Sequence, residues 1–135
     1  MDITVLEKFN AYPEEVKLKL NFIRSLIFDI AQEFELGEVT ESLKWGEPSL
    51  NVKNGSAVRI DWKANEPEQY VIYFNCKTKL VDTFKTLYTD GSLNFENNRS
   101  IVFLLSDLIP LVQVKHCISL SLRYHSIKNL PLLGA

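Results

Sequence analysis

With 135 residues, 46% of them apolar and 24% charged, the chain has an ordinary globular composition and is long enough to bury about two-thirds of its unfolded surface. A formal net charge of −2 supplies no general drive toward DNA or RNA, whose binding relies on clustered Lys and Arg. No apolar run approaches the ~20 residues of a membrane span, and MDITVLEKFN lacks the basic-then-apolar layout of a signal peptide, so the expected setting is cytoplasmic, without membrane or nucleic-acid partners.

Pro13 followed by Glu14 and Glu15 marks a helix start, since Pro costs nothing in a first turn and acids there complement the helix dipole. Val16, Leu20, Ile23, Ile27, Ile30 and Phe34 then recur every three or four residues, which predicts a helix from Pro13 to Phe34 with its stop at Gly37. Beyond Gly37 the period becomes alternating. Asn54-Gly55, flanked by Leu50 and Val52 on one side and Val58, Ile60 and Trp62 on the other, predicts a hairpin whose tight turn uses two positive φ angles. Val58, Ile60 and Trp62 share the buried face of their strand; Arg59, Asp61 and Lys63 share the wet one. The run QYVIYFNC continues the sheet as an antiparallel meander.

Thr78 is suited to cap a second helix with the apolar face Leu80, Val81, Phe84, Leu87 and Tyr88, ended by Asp90-Gly91. Leu93 to Glu96 and Ser100 to Leu105 read as a second hairpin, with Asn97-Asn98 at its turn because Asn tolerates the left-handed region. A last helix follows from Ser106 or Asp107, with Pro110 in its first turn and the stripe Leu111, Val114, Ile118, Leu122 and His125. Connections are short and no repeat is present. The expected architecture is one α+β domain over residues 1–135: a two-layer fold with an antiparallel sheet of about six strands, packed by N-terminal, middle and C-terminal helices.

Catalytic signatures are missing: there is no HExxH, CxxC, P-loop, GxSxG or GxGxxG pattern. His116 and His125 are separated by about 900° of helical rotation and face opposite ways. His125 extends the apolar stripe as a packing residue, while His116 points to solvent. Cys76 and Cys117 each sit in an apolar context typical of a buried thiol in a reducing compartment. The expectation is therefore a non-catalytic protein.

Two groups of residues could bind something. Asp29, Glu33, Glu35, Glu38 and Glu41 form an acidic segment, either a solvated helix face or a weak surface for hard cations. Lys44, Trp45, Glu47, Arg59, Asp61, Tyr73 and Arg99 are the aromatic and charged residues of the sheet and its turns. If they converge, they suit a small anionic or aromatic ligand. Alternatively, Trp45 and Trp62 anchor the core and the charges form cross-strand pairs with Glu47 and Asp61. An exposed strand edge or the Trp45 turn could also serve a protein–protein interaction module.

LKWGEPSL at Leu43 to Leu50, GSAVRIDWK at Gly55 to Lys63, YFNCKTKLVDTF at Tyr73 to Phe84 and NNRSIVF at Asn97 to Phe103 together resemble the YdhG-like family, the domain of unknown function 1801. Trp45 to Pro48 is the most specific piece. The resemblance implies a compact α+β fold. Since some members are described as frataxin-like iron chaperones, it also implies iron as a cargo for the acidic segment. Asn97 departs from the family pattern by standing in the place of a glycine.

Overall fold

The hydrophobic period decides where helix gives way to strand. In the computed structural model, which describes residues 1–135, the predicted first helix is α2 (Glu14–Glu33), with Pro13 and Phe34 as its caps. Its stripe Val16, Leu20, Ile23, Ile27 and Ile30 is buried. The helix stops before Gly37: Glu35 takes the left-handed conformation at φ 53°, and the Leu36 N–H returns to the Ala31 carbonyl at 2.8 Å, a Schellman-type closure. A shorter helix, α1 (Ile3–Ala11), precedes it, with Asp2 accepting from the Thr4 N–H at 2.8 Å as the N-cap. Only Val5 and Phe9 of α1 are buried, too few positions to form a periodic stripe in the sequence.

Six strands follow: β1 (Thr40–Lys44), β2 (Glu47–Asn51), β3 (Val58–Asp61), β4 (Gln69–Tyr73), β5 (Asn94–Glu96) and β6 (Ser100–Leu104). They form one antiparallel sheet in the order β1-β2-β3-β4-β6-β5, so β1 to β4 make a meander and the β5–β6 hairpin returns beside β4. Helix α3 (Leu80–Leu87) connects β4 to β5, and α4 (Leu111–Leu122) and α5 (Tyr124–Ile127) close the chain. The α+β architecture with helices in the N-terminal, middle and C-terminal thirds matches the expectation. One sheet face, with Leu50, Val58, Ile60, Tyr70, Ile72, Ile101 and Phe103, joins α1, α2, α3 and α4 in a hydrophobic cluster of 31 buried residues.

The tight turn with two positive φ angles lies elsewhere than predicted. Lys44 and Glu47 pair directly across Trp45 and Gly46, whose φ angles are 55° and 77°. This is the geometry of a two-residue primed turn. Neither Asn54 nor Gly55 has a positive φ. Residues 52–57 instead form a longer link that docks on α4, and Gly55 serves there by its lack of a side chain: a Cβ would lie 2.7 Å from the Leu122 carbonyl oxygen.

That docking also corrects the last helix. In an uninterrupted helix the His125 N–H would bond to the Ser121 carbonyl. Here the Ser121 carbonyl accepts from the Ser56 N–H at 2.8 Å, and the His125 N–H donates to the Asn54 carbonyl at 3.1 Å. The link captures both partners of one helical rung, so α4 ends at Leu122 and α5 begins after a break at Arg123. Tyr124 turns inward, and His125 is exposed rather than packed. His116, expected in solvent, is half-buried and its Nδ1 lies 2.5 Å from the Tyr88 hydroxyl.

Candidate functional site

The sheet face opposite the helices carries Lys44, Glu47, Ser49, Arg59 and Tyr73, placed there by the registers Lys44↔Glu47, Ser49↔Arg59 and Arg59↔Tyr73. Two turns complete its rim. The primed turn at the β1–β2 end projects Trp45, which is 91% exposed. The β5–β6 turn presents Arg99, positioned by Asn97 at φ 55° and by the Phe74 N–H donating to the Arg99 carbonyl at 2.7 Å. Asn98 ties the same turn to the β4–α3 link through the Cys76 carbonyl at 3.3 Å. Lys44, Trp45, Glu47, Arg59, Tyr73 and Arg99 thereby line a single cleft of about 660 Å³, within the size range of small-ligand sites. Cys76, expected to be buried, is exposed on this cleft, with its sulfur 3.8 Å from Arg99 Nη2.

Six of the seven sheet residues singled out from the sequence therefore converge. Asp61 is the exception. It lies on the predicted face but is only 3% exposed and does not line the cleft. Its Oδ1 accepts from the Tyr12 hydroxyl at 2.5 Å, and its Oδ2 accepts from Lys63 Nζ at 2.9 Å. Lys8 approaches Oδ1 at 3.7 Å. The physical reason is the burial of a charge: a carboxylate this far from water persists only when paired and hydrogen-bonded.

Lys63 links this buried pair to the cleft floor. Its Nζ also donates to Glu47 Oε2 at 3.1 Å, while Arg59 Nε lies 3.4 Å from Glu47 Oε1. Burial pulls the Lys63 pKa down, but the hydrogen bonds and charges of Asp61 and Glu47 outweigh it and hold the group above the ordinary lysine value. Tyr12 is raised by burial and by the Asp61 carboxylate, so it remains a neutral donor. Tyr73 is raised by burial, partly offset by the Lys63 charge; Arg59 and Lys63 lie 5.8 and 6.0 Å from its ring centre.

Glu47 is thus spent on Arg59 and Lys63, whereas Lys44 and Arg99 enter none of the ion pairs. The cleft carries a surplus of positive charge in a chain whose net charge is negative. Both sequence alternatives for the tryptophans hold in part. Trp62 packs against the core and donates its indole N–H to the Pro67 carbonyl at 3.0 Å, while Trp45 anchors nothing.

Asp29, Glu35, Glu38 and Glu41 border a second cleft beside the end of α2, but Arg24 shares it and their carboxylates do not gather around one point. Asp29 and Glu33 are exposed on α2, and Glu41 is held in a fork by Arg24 at 2.8 and 2.5 Å. No three His, Cys, Asp or Glu side chains come together in a group able to hold a metal ion. Of the contributors missed in the sequence, Lys63 was legible by its alternation with Arg59 and Asp61. Tyr12 and Lys8 were not, since they reach Asp61 from α1 and its link to α2. No helix is long and apolar enough to cross a membrane.

No family model, curated protein or solved structure matches the chain.

Proposed function

We propose that the chain is a cytosolic, non-catalytic binding domain of the YdhG-like kind whose polar sheet face holds a small anionic ligand. The observation that carries this reading is the convergence of Lys44, Arg59 and Arg99 with Trp45 and Tyr73 on one cleft, where Glu47 is already neutralised. Guanidinium groups with free N–H donors recognise oxyanions by paired, charge-assisted hydrogen bonds. Iron, the cargo suggested by the family resemblance, has less support because the acidic segment gathers no metal-holding group.

Calorimetric titration with sulfate, phosphate and small carboxylates tests the proposal. Binding is expected at millimolar concentrations or below, weakened at least about tenfold by Arg99→Ala, as for loss of one charge-assisted contact, and falling with added salt. No heat from any anion up to 10-millimolar order, about the weakest useful affinity, would remove it. The exposed Trp45 on a hairpin of the edge strand β1 favours a second reading, a protein interaction surface. That reading predicts a partner whose binding is lost in Trp45→Ala and retained in Arg99→Ala.

A further inference from the structure

Resting on the anion-binding reading, we infer that the cleft is built for an aryl phosphate monoester: a planar ring against Trp45, with its phosphate among Lys44, Arg59 and Arg99. Charge selects the phosphate. Three cations face one carboxylate that a fourth cation, Lys63, already shares. A monocarboxylate would compensate only one of the surplus charges, whereas a phosphate monoester carries about −1.5 to −2 and three acceptor oxygens near neutral pH. Two of the three cations are arginines, whose planar fork fits phosphate oxygens in pairs.

Trp45 selects the ring. An indole left 91% exposed on a non-glycine residue at φ 55° combines an unburied apolar surface with a strained backbone. Neither gains the folded chain anything, since Asn or Gly would hold the same primed turn without strain. Tyr73 does not supply an equivalent free face, because Arg59 and Lys63 lie over its ring, and Phe74 is buried. A flat ring bound against Trp45 would recover the apolar area that the fold leaves in water.

Calorimetry with inorganic phosphate, phenyl phosphate, benzoate and benzyl alcohol, on the full chain and on Trp45→Ala, tests this assignment. Phenyl phosphate is expected to bind about tenfold tighter than inorganic phosphate, the scale of one aromatic stack. Trp45→Ala should remove that increment, so that phenyl phosphate and inorganic phosphate bind the variant with similar affinity. Phenyl phosphate should also slow modification of Cys76, which shares the cleft. Equal affinity for benzoate and phenyl phosphate, or a ring increment that survives Trp45→Ala, overturns the aryl phosphate assignment while leaving anion binding standing. Failure of every anion to bind overturns both.

Discussion

Replacing Gly55 by Ala distinguishes the two physical roles a glycine can have in a loop. A Cβ there would sit 2.7 Å from the Leu122 carbonyl oxygen, 2.8 Å from Asn51 Oδ1 and 3.0 Å from Val52 Cγ2. The first of these is backbone and cannot rotate away. Relief requires the link 52–57 to lift from α4, at the expense of Ser56 N–H to the Ser121 carbonyl, His125 N–H to the Asn54 carbonyl and Ser121 Oγ to the Ser56 carbonyl. At ~1 kcal/mol for each bond, Gly55→Ala should destabilise by ~3 kcal/mol. For a chain of 135 residues the unfolding entropy is about 0.28 kcal/mol/K, so this corresponds to a fall in Tm of about 10 °C.

Gly46 is the control, with φ at 77° and open space around a Cβ. Gly46→Ala should cost only the ~1 kcal/mol of a left-handed backbone. Asparagine separates the mechanisms further: Gly46→Asn should be nearly neutral, because Asn tolerates that conformation. Gly55→Asn should be at least as damaging as Gly55→Ala, because the obstacle is steric. Thermal unfolding followed by circular dichroism reads all four variants. A Gly55→Ala chain within about 2 °C of the parent, ~0.6 kcal/mol on the same scale, or a Gly55→Asn chain more stable than Gly55→Ala, would refute the close-packing account.

Tyr12→Phe should lower stability by ~2 kcal/mol in urea unfolding, because it deletes one hydrogen bond to the buried Asp61 carboxylate and such bonds contribute ~1.5–3 kcal/mol; a loss below ~0.5 kcal/mol would place the Asp61 interaction energy with Lys63 instead. Thiol titration of the native chain should find one rapidly reacting group, Cys76, and a second only after unfolding, since Cys117 is fully buried and pushed up to about 12 by that burial; two fast thiols would contradict the core packing around α4. His116 is lowered by burial and by the Arg123 charge, and its Nδ1 shares a hydrogen bond with the Tyr88 hydroxyl. The unfolded chain therefore binds its proton first as pH falls below about 6.5, so the His116 contribution is present above that pH and lost on descending through the folded value. His116→Gln should flatten the stability profile between pH 7 and 5, on the acid side of the imidazole range near ~6.5, and an unchanged slope would remove His116 as its source.

Much of the fold was legible because local periodicity reports burial directly. The α2 stripe from Val16 to Ile30, the alternation through Val58 to Ile60 and the Asn97 turn all appear where the residues place them. The cleft was legible in composition: six of its lining residues are charged or aromatic residues that the strand and turn pattern marks. What failed were statements about side-chain surroundings, for His116 within α4 and for residues at breaks in regular structure. His125 was placed by extending one helical stripe past Leu122, and Cys76 by its apolar neighbours, and neither argument contains the backbone that redirects the chain.

The sequence by itself determined the α+β class, the positions of α2, β3, β4, α3 and the β5–β6 hairpin, and which face of β3 is apolar. These depend on neighbours within one or two turns of chain, which a period of 3.6 or 2 encodes. Only the tertiary structure decided that Trp45-Gly46, not Asn54-Gly55, forms the primed turn, that residues 52–57 break α4, and that Asp61 is claimed by Tyr12 and Lys63 rather than by the cleft. Those outcomes rest on contacts between distant segments, where the need to satisfy every buried polar group selects among arrangements that local pattern leaves equal.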